Sequence, residues 1–186
     1  MKQVLQLPCT KEDIKKLHAG DSILLNGVIY TARDAAHKRL HEMLENNQPL
    51  PFDLNHASIY YVGPSPASRD FPLGSAGPTT SSRCDYYTPL LVENGLQVMI
   101  GKGIRNSEVK KSLIKHCAVY LAAIGGAGAL LSRCIKSAEV IAFDDLGTEA
   151  IRKLEIENFP AIVINDCHGN DYYETARLNY LQSIKK

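Results

Sequence analysis

Short apolar segments alternate with helical patterns through the second half of the chain. The apolar segments cover residues 97–100, 118–124, 140–143 and 161–164. The helical patterns cover residues 107–115, a stretch ending near Cys134, residues 148–157 and residues 172–184. Because parallel strands need long crossover connections, which helices usually supply, this alternation predicts a largely parallel sheet with helices packed against it.

The first third of the chain has a different pattern. Residues 22–25 and 28–31 flank Asn26-Gly27, a pair that tolerates the positive φ angles of a tight turn, so we expect a β-hairpin there. A helix over residues 33–45 and a short strand over 59–62 follow. The predicted class is therefore α/β, with a mixed sheet that starts from an N-terminal hairpin. The 186 residues suit a single domain.

A long loop separates these two parts. Residues 63–78 contain seven of the chain's 22 glycines and prolines, a density that excludes a regular ladder. Long loops inside compact domains are often functional. This loop ends in Thr79-Thr80-Ser81-Ser82, residue types that cap helices, and we expect a helix over residues 82–93, weakened by Pro89.

Charge and cysteine content exclude several classes of protein. With 21 Lys and Arg against 20 Asp and Glu, the chain lacks the basic excess of proteins that bind nucleic acid or anionic membranes. Its longest uncharged run, residues 117–132, is shorter than the ~20 residues of a membrane span. The N-terminus has no signal-peptide pattern. Five scattered cysteines argue against a disulfide framework, so we expect a reducing, cytoplasmic location.

Cofactor motifs are incomplete in this chain. The glycine-rich turn at 125–128 has Leu131 where a dinucleotide site needs a small residue, and residues 101–103 do not form a P-loop. His37 and His41 have helical spacing but lack the adjacent glutamate of a zinc protease, so we interpret them as a solvated helix face. The cysteines have neither zinc nor iron–sulfur spacing. We therefore expect no metal or cofactor bound by this chain itself.

Three cations and a hydroxyl lie at the ends of predicted elements. Lys102 stands between two glycines directly after a strand, where a ligand could approach the backbone closely. Thr79 and Arg83 surround a predicted helix N-terminus, where free N–H groups favour an anion. Arg33 stands at a strand-to-helix junction. Such a set would suit a small dianion, for example a dicarboxylate.

A purely structural interpretation of the same residues stays open at this point. Thr79 would be a plain N-cap, Arg83 would pair with Asp85 or Asp70, and Lys102 would be a solvated turn residue.

Five sequence strings nevertheless resemble a known family. They are TARDAAHKR at 31–39, GPTTSSRCD at 77–85, IGKG at 100–103, GGAGAL at 125–130 and DLGTEA at 145–150. Together they resemble the β-subunit, or C-terminal domain, of the iron–sulfur hydro-lyases, class I fumarate hydratase and L(+)-tartrate dehydratase. The resemblance spans nearly the whole chain. Cys84 is a departure, since the family usually carries Met there.

The resemblance implies a swivelling β/β/α domain in a lyase that interconverts (S)-malate and fumarate. A 4Fe–4S cluster would be held by three cysteines of a separate α-subunit, so the protein would be a hetero-oligomer with its active site at the subunit interface. Arg33, Arg83 and Lys102 would bind the dicarboxylate. Thr79 would be the catalytic base, activated by an aspartate of the α-subunit.

Two alternatives remain at this stage. The substrate could be L(+)-tartrate, dehydrated to oxaloacetate, since one extra hydroxyl would be recognised by a polar contact that the sequence does not reveal. The chain could also be a non-catalytic domain that binds dicarboxylates for regulation and works without a partner.

Overall fold

A computed structural model describes residues 3–67 and 71–184, and these residues form one mixed sheet with helices on it. The strands are β1 (Gln3–Leu7), β2 (Ser22–Thr31), β3 (Ser58–Tyr60), β4 (Val98–Gly101), β5 (Val119–Ala122), β6 (Ile135–Ala142) and β7 (Ile151–Asn165). The α-helices are α1 (Lys11–Ile14), α2 (Asp34–Glu45), α3 (Thr88–Glu93), α4 (Ser107–His116), α5 (Gly128–Ser132) and α6 (Tyr172–Ser183). Two short 3₁₀ helices cover Ser81–Cys84 and Asp144–Glu149.

The sheet order is β1-β2-β3-β4-β5-β7-β6. The pairs from β1 through β5 are parallel, whereas β7 runs antiparallel to β5 and β6. The predicted α/β class with a mixed sheet is confirmed. Since β7 also pairs with β2, the strands β2, β3, β4, β5 and β7 close a ring.

Two apolar clusters lie on opposite faces of the sheet, because successive side chains of a strand point to opposite sides. Tyr60, Val98 and Ile100 belong to one cluster, together with residues from β2, β5 and β7. Tyr61 and Met99 belong to the other, which α2, α3 and α4 cover with their apolar faces. Helices α2, α3 and α4 therefore pack against one face, while Ile14 of α1 and Leu131 of α5 belong to the cluster on the other face.

The predicted N-terminal hairpin is wrong. Residues 22–31 form the single strand β2, which has β1 on one side and β7 on the other. Gly27 has a φ of +109°, and its pairing with β7 shifts register after Leu25. A Cβ atom at this position would collide with Leu7 O of β1. The Asn-Gly pair therefore marks a bulge in a strand with two neighbours, rather than a turn.

The predicted helix at 148–157 is also wrong. These residues belong to the 3₁₀ helix Asp144–Glu149 and to β7, which is 15 residues long and bonded on both sides. The predicted strand at 140–143 is the end of the longer β6. Residues 151–157 form a strand because hydrogen bonding to β2 and β6 on either side outweighs their local helical pattern.

Other predictions around the long loop are mostly confirmed. The helices expected at 33–45, 107–115 and 172–184 correspond to α2, α4 and α6. The helix expected at 82–93 is divided into the 3₁₀ helix Ser81–Cys84 and α3, where Pro89 lies in the first turn. The described parts of residues 63–78 contain no helix or strand; residues 68–70 of that loop lie outside the described residues.

None of the described helices is both long and apolar enough to cross a bilayer.

Candidate active site

The predicted site residues lie at one edge of the sheet. Strands β2, β3 and β4 are parallel, so their carboxyl ends share an edge, where α/β proteins commonly bind ligands. Arg33 follows β2, Thr79 is hydrogen-bonded just beyond β3, and Lys102 follows β4 directly. Arg83 belongs to the 3₁₀ helix that begins two residues after Thr79. The fold therefore brings these four residues to the same side of the molecule.

Thr79 is held by the backbone of the segment that follows β3. Its backbone N–H and its hydroxyl both donate to Tyr61 O, at 2.7 Å and 3.0 Å. The N-cap of the following 3₁₀ helix is Thr80, whose side chain makes no capping bond. The interpretation of Thr79 as a plain helix cap is therefore wrong. Its half-buried hydroxyl is anchored at the edge of the sheet.

Lys102 is fixed through its backbone, while its side chain is exposed. Its N–H donates to Ser81 Oγ at 3.1 Å, and its carbonyl accepts from Ser81 N at 2.9 Å. A Cβ atom at position 101 would collide with Ser81 Oγ. The glycine before Lys102 thus makes room for Ser81, rather than for a ligand as the sequence suggested.

Arg33 lies between two carboxylates at the start of α2. Its Nε is 3.5 Å from Asp34 Oδ1, and its Nη2 is 3.5 Å from Glu149 Oε1. The other oxygen of Glu149 accepts from Ala35 N at 3.0 Å and so supplies the cap that the Arg33 side chain does not. The Nε of Arg33 is buried and has no hydrogen-bond partner among the described residues.

Arg83 has an exposed side chain on the 3₁₀ helix. The pairing with Asp85 considered above is wrong, because the described residues place Asp85 against Arg105, with 2.6 Å between Oδ1 and Nε. Asp70, the other partner considered, lies outside the described residues. Among the described residues, neither Arg83 nor Lys102 makes an ion pair.

Sequence reasoning missed Arg105, a buried arginine beneath the site. Its guanidinium donates to Asp85, to Thr88 Oγ1 at 2.8 Å and to Tyr61 Oη at 3.3 Å. It also lies 5.3 Å and 5.0 Å from the ring centres of Tyr61 and Tyr120. An arginine in a short polar stretch gives no sequence signal of burial; only the folded sheet brings these partners together.

His37 was also misinterpreted, because it is completely buried rather than part of a solvated helix face. Its Nδ1 lies 2.9 Å from Arg33 O, and since a carbonyl can only accept, Nδ1 carries the proton. Burial lowers the pKa of His37 to about 4, so the ring is neutral at pH 7. The imidazole packs edge-on against Tyr61 and supports the backbone of Arg33. His41 is also largely buried and pairs with Glu45.

Two of the five thiols, those of Cys9 and Cys84, are buried, and the other three are partly exposed. Within residues 3–67 and 71–184, no three His, Cys, Asp or Glu side chains converge as metal ligands would. Cys9 and Cys84 are buried, and burial raises the pKa of each to about 12, so both are neutral thiols at pH 7.

The edge combines positive charge with an anchored hydroxyl. Arg33 is paired with Asp34 and Glu149 at 3.5 Å each, whereas Lys102 and Arg83 present exposed cationic side chains. Arginine forks bind carboxylates in a bidentate manner, and lysine adds a point charge. The edge therefore offers cationic groups suited to carboxylates on the same side of the sheet as the Thr79 hydroxyl.

Comparison with known proteins assigns the chain to a family. The family model described as "Fumarase C-terminus" matches residues 1–176. A Methanocaldococcus jannaschii protein named "Putative L(+)-tartrate dehydratase subunit beta" is 44% identical over 183 residues, which cover 95% of this chain and 94% of that protein. The aerobic class I fumarate hydratase of Escherichia coli is 40% identical over 156 residues, 83% of this chain but 28% of that enzyme.

Fumarate hydratase 2 of Leishmania major shows the same relation, with 38% identity over 165 residues, 88% of this chain and 29% of that enzyme. The chain thus spans less than a third of these two fumarate hydratases, but almost all of the archaeal subunit. With the family model matching nearly its whole length, the chain belongs to the fumarase C-terminus family.

Proposed function

We propose that this chain is the β-subunit of an iron–sulfur hydro-lyase that interconverts (S)-malate and fumarate, with its active site completed by an α-subunit. The observation that carries the proposal is that Arg33, Thr79, Arg83 and Lys102 all follow strands whose carboxyl ends share one edge of the sheet. The names of the relatives, hydratases and a dehydratase subunit, support the same reaction class.

The three cations would bind and polarise the dicarboxylate. The contacts of Arg33 with Asp34 and Glu149 are long, at 3.5 Å each, so its guanidinium would turn from them to a substrate carboxylate at small cost. Arg83 and Lys102 would bind the second carboxylate and stabilise the negative charge that builds up when the C3 proton is removed. Loss of one such contact is expected to reduce turnover by on the order of 10²–10³-fold, as for oxyanion donors.

Thr79 would take the C3 proton, but it needs help to do so. Its hydroxyl proton is donated to Tyr61 O, and a neutral hydroxyl is a poor base at pH 7. Tyr61 O is a carbonyl and cannot remove that proton. A carboxylate from the partner, an aspartate by resemblance, would therefore have to accept it.

The partner would also supply the metal. When bound in the α-subunit, a 4Fe–4S cluster with an open iron provides a Lewis acid for the departing hydroxyl. This chain's own part is to hold the carboxylates, to orient the substrate and to present Thr79 to C3.

L(+)-tartrate is the second candidate substrate. The archaeal relative that matches almost end to end is named as a subunit of a tartrate dehydratase, which favours conversion of tartrate to oxaloacetate. Both reactions remove water from a C4 dicarboxylate, and both would use the same cationic edge.

Reconstitution with the α-subunit tests the proposal. The isolated chain should turn over neither substrate, whereas the complex should contain iron and dehydrate malate or tartrate. Comparison of kcat/KM for the two substrates identifies the natural one. Turnover by the isolated chain would contradict the proposal, and so would tight malate binding by the isolated chain without activity in the complex, which would indicate a regulatory domain.

A further inference from the structure

We propose that Ser81 and Tyr120 are positioning residues for Lys102. Their hydroxyl groups form a chain of hydrogen bonds that starts at the N–H of Lys102 and ends at the carbonyl of Gly103. This inference rests on the proposed function, in which the Lys102 ammonium binds a substrate carboxylate.

Donor and acceptor roles in the chain have one consistent assignment. Tyr120 Oη lies 3.0 Å from Gly103 O, and since a carbonyl can only accept, the phenol donates its single proton there. The N–H of Lys102 donates to Ser81 Oγ at 3.1 Å. Because the proton of Tyr120 is already used, Ser81 must donate across the 2.9 Å between the two hydroxyl oxygens. Each hydroxyl therefore gives one bond and accepts one bond.

Burial keeps this chain of bonds in place. Ser81 and Tyr120 are fully buried, so water cannot replace a lost partner. Burial also raises the pKa of Tyr120, which keeps the phenol protonated and able to donate. The guanidinium of Arg105 lies over the Tyr120 ring. The hydroxyl of Ser81 is so close to Gly101 that a side chain at position 101 would collide with it, so the backbone on both sides is tightly packed.

The hydrogen bonds fix the position of Lys102 relative to the segment that carries Thr79 and Arg83. Ser81 bonds to both the N–H and the carbonyl of Lys102, and it begins the 3₁₀ helix that carries Arg83. Thr79 lies two residues before that helix. The hydroxyl chain thus joins the segment bearing Thr79 and Arg83 to the strand end bearing Lys102. Misplacement of a reacting group by about 1 Å can cost a hundredfold in rate.

The test uses the complex of the full chain with its α-subunit. Ser81→Ala and Tyr120→Phe each remove one hydroxyl group, and we expect kcat to fall by about 10- to 100-fold with a smaller change in KM. Ser132→Ala is the matched control, because Ser132 is also buried and its hydroxyl donates to the backbone carbonyl of Ala129, not to the segment of Lys102. It should keep kcat within about twofold.

A second background separates positioning from general stability. In a Lys102→Met complex, the added Ser81→Ala or Tyr120→Phe change should lower the remaining kcat by less than about threefold, because the group that they position is absent. An equal loss in both backgrounds would overturn the positioning role. If Lys102→Met itself keeps full activity, the proposed function of Lys102 is wrong instead.

Hydrogen exchange tests the inference without any activity measurement. In the full chain, the backbone amide of Lys102 should exchange slowly, and Ser81→Ala should speed its exchange at least about tenfold, while Ser132→Ala should not. Unchanged exchange at Lys102 in Ser81→Ala would overturn the inference even if the complex proves inactive on malate and tartrate.

Discussion

The two sides of the candidate active site are held in different ways. On the Lys102 side lies a fully buried polar network, which we call the buried centre and which consists of Tyr61, Ser81, Asp85, Arg105 and Tyr120. On the Arg33 side, α2 meets the 3₁₀ helix Asp144–Glu149 through partly exposed ion pairs. We call this contact the α2 seam; its residues are Arg33, Arg39, Asp145 and Glu149.

Both regions pair arginine with carboxylate, so the difference between them is burial. Arg105 is 0% exposed and meets Asp85 at 2.6 Å, whereas Arg33 and Glu149 are 20% and 21% exposed and 3.5 Å apart. A buried pair is costly to break, because removal of one partner leaves the other charge buried where water cannot solvate it. An exposed pair contributes little, because water and salt screen it. In the proposed function, the buried centre would fix the geometry of Lys102, while the seam would adjust as Arg33 binds a carboxylate.

The largest expected effect is the loss of Arg105. Arg105→Met should lower the free energy of unfolding by about 3–5 kcal/mol, since Asp85 would remain buried and charged without its partner. Urea denaturation of the full chain measures it. Arg39→Met in the seam is the matched control: it removes the exposed pair with Asp145, and the melting temperature should change by less than about 2 °C. Similar losses in both variants would contradict the comparison.

His37, which connects the seam to the buried centre, should make stability depend on pH. Its pKa is lowered to about 4 in the folded chain, against about 6.5 when unfolded, so the unfolded state binds more protons between those values. The contribution of His37 to the free energy of unfolding is therefore fully present above pH 6.5. It is lost as the pH falls toward 4, by up to about 3 kcal/mol.

Urea denaturation of wild type and His37→Asn across this pH range isolates the effect, since the carboxylates are common to both. The stability difference between them should shrink as the pH falls. A constant difference between pH 7 and pH 4 would show that His37 is not held neutral.

The smallest expected effect is at Glu149. Glu149→Ala removes the cap from Ala35 N and the ion pair with Arg33, and should cost about 1 kcal/mol of unfolding free energy. Glu149→Gln keeps an acceptor for Ala35 N, so it should cost less than half of that. Thermal unfolding of the two variants checks the order. An equal cost would mean that the ion pair, rather than the cap, is what Glu149 contributes.

The positions of the candidate site residues could be predicted because they depend on local features. Lys102 and Arg33 stand directly at the ends of recognisable strands, and in a parallel sheet those ends meet. The start of α4 also depends on a local feature, since the side chain of Asn106 accepts a hydrogen bond from Val109 N at 2.9 Å.

The remaining features depend on contacts between distant residues. The Asn26-Gly27 pair was misinterpreted as a turn because the neighbouring strands β1 and β7 come from the two ends of the sequence. The burial of Arg105 likewise depends on Asp85, Tyr61 and Tyr120, which belong to separate segments. No local pattern carries this information, since arginine and aspartate are mostly found on solvated surfaces.

The most direct test of the central claim is turnover by the reconstituted complex with a single hydroxyl removed. Thr79→Ala should reduce malate or tartrate dehydration by at least about 10²-fold, while its iron content and its melting temperature stay close to wild type. Thr80→Ala, an exposed neighbour without a side-chain capping bond, should retain activity. Full activity in Thr79→Ala would contradict the claim that this edge of the sheet carries the chemistry.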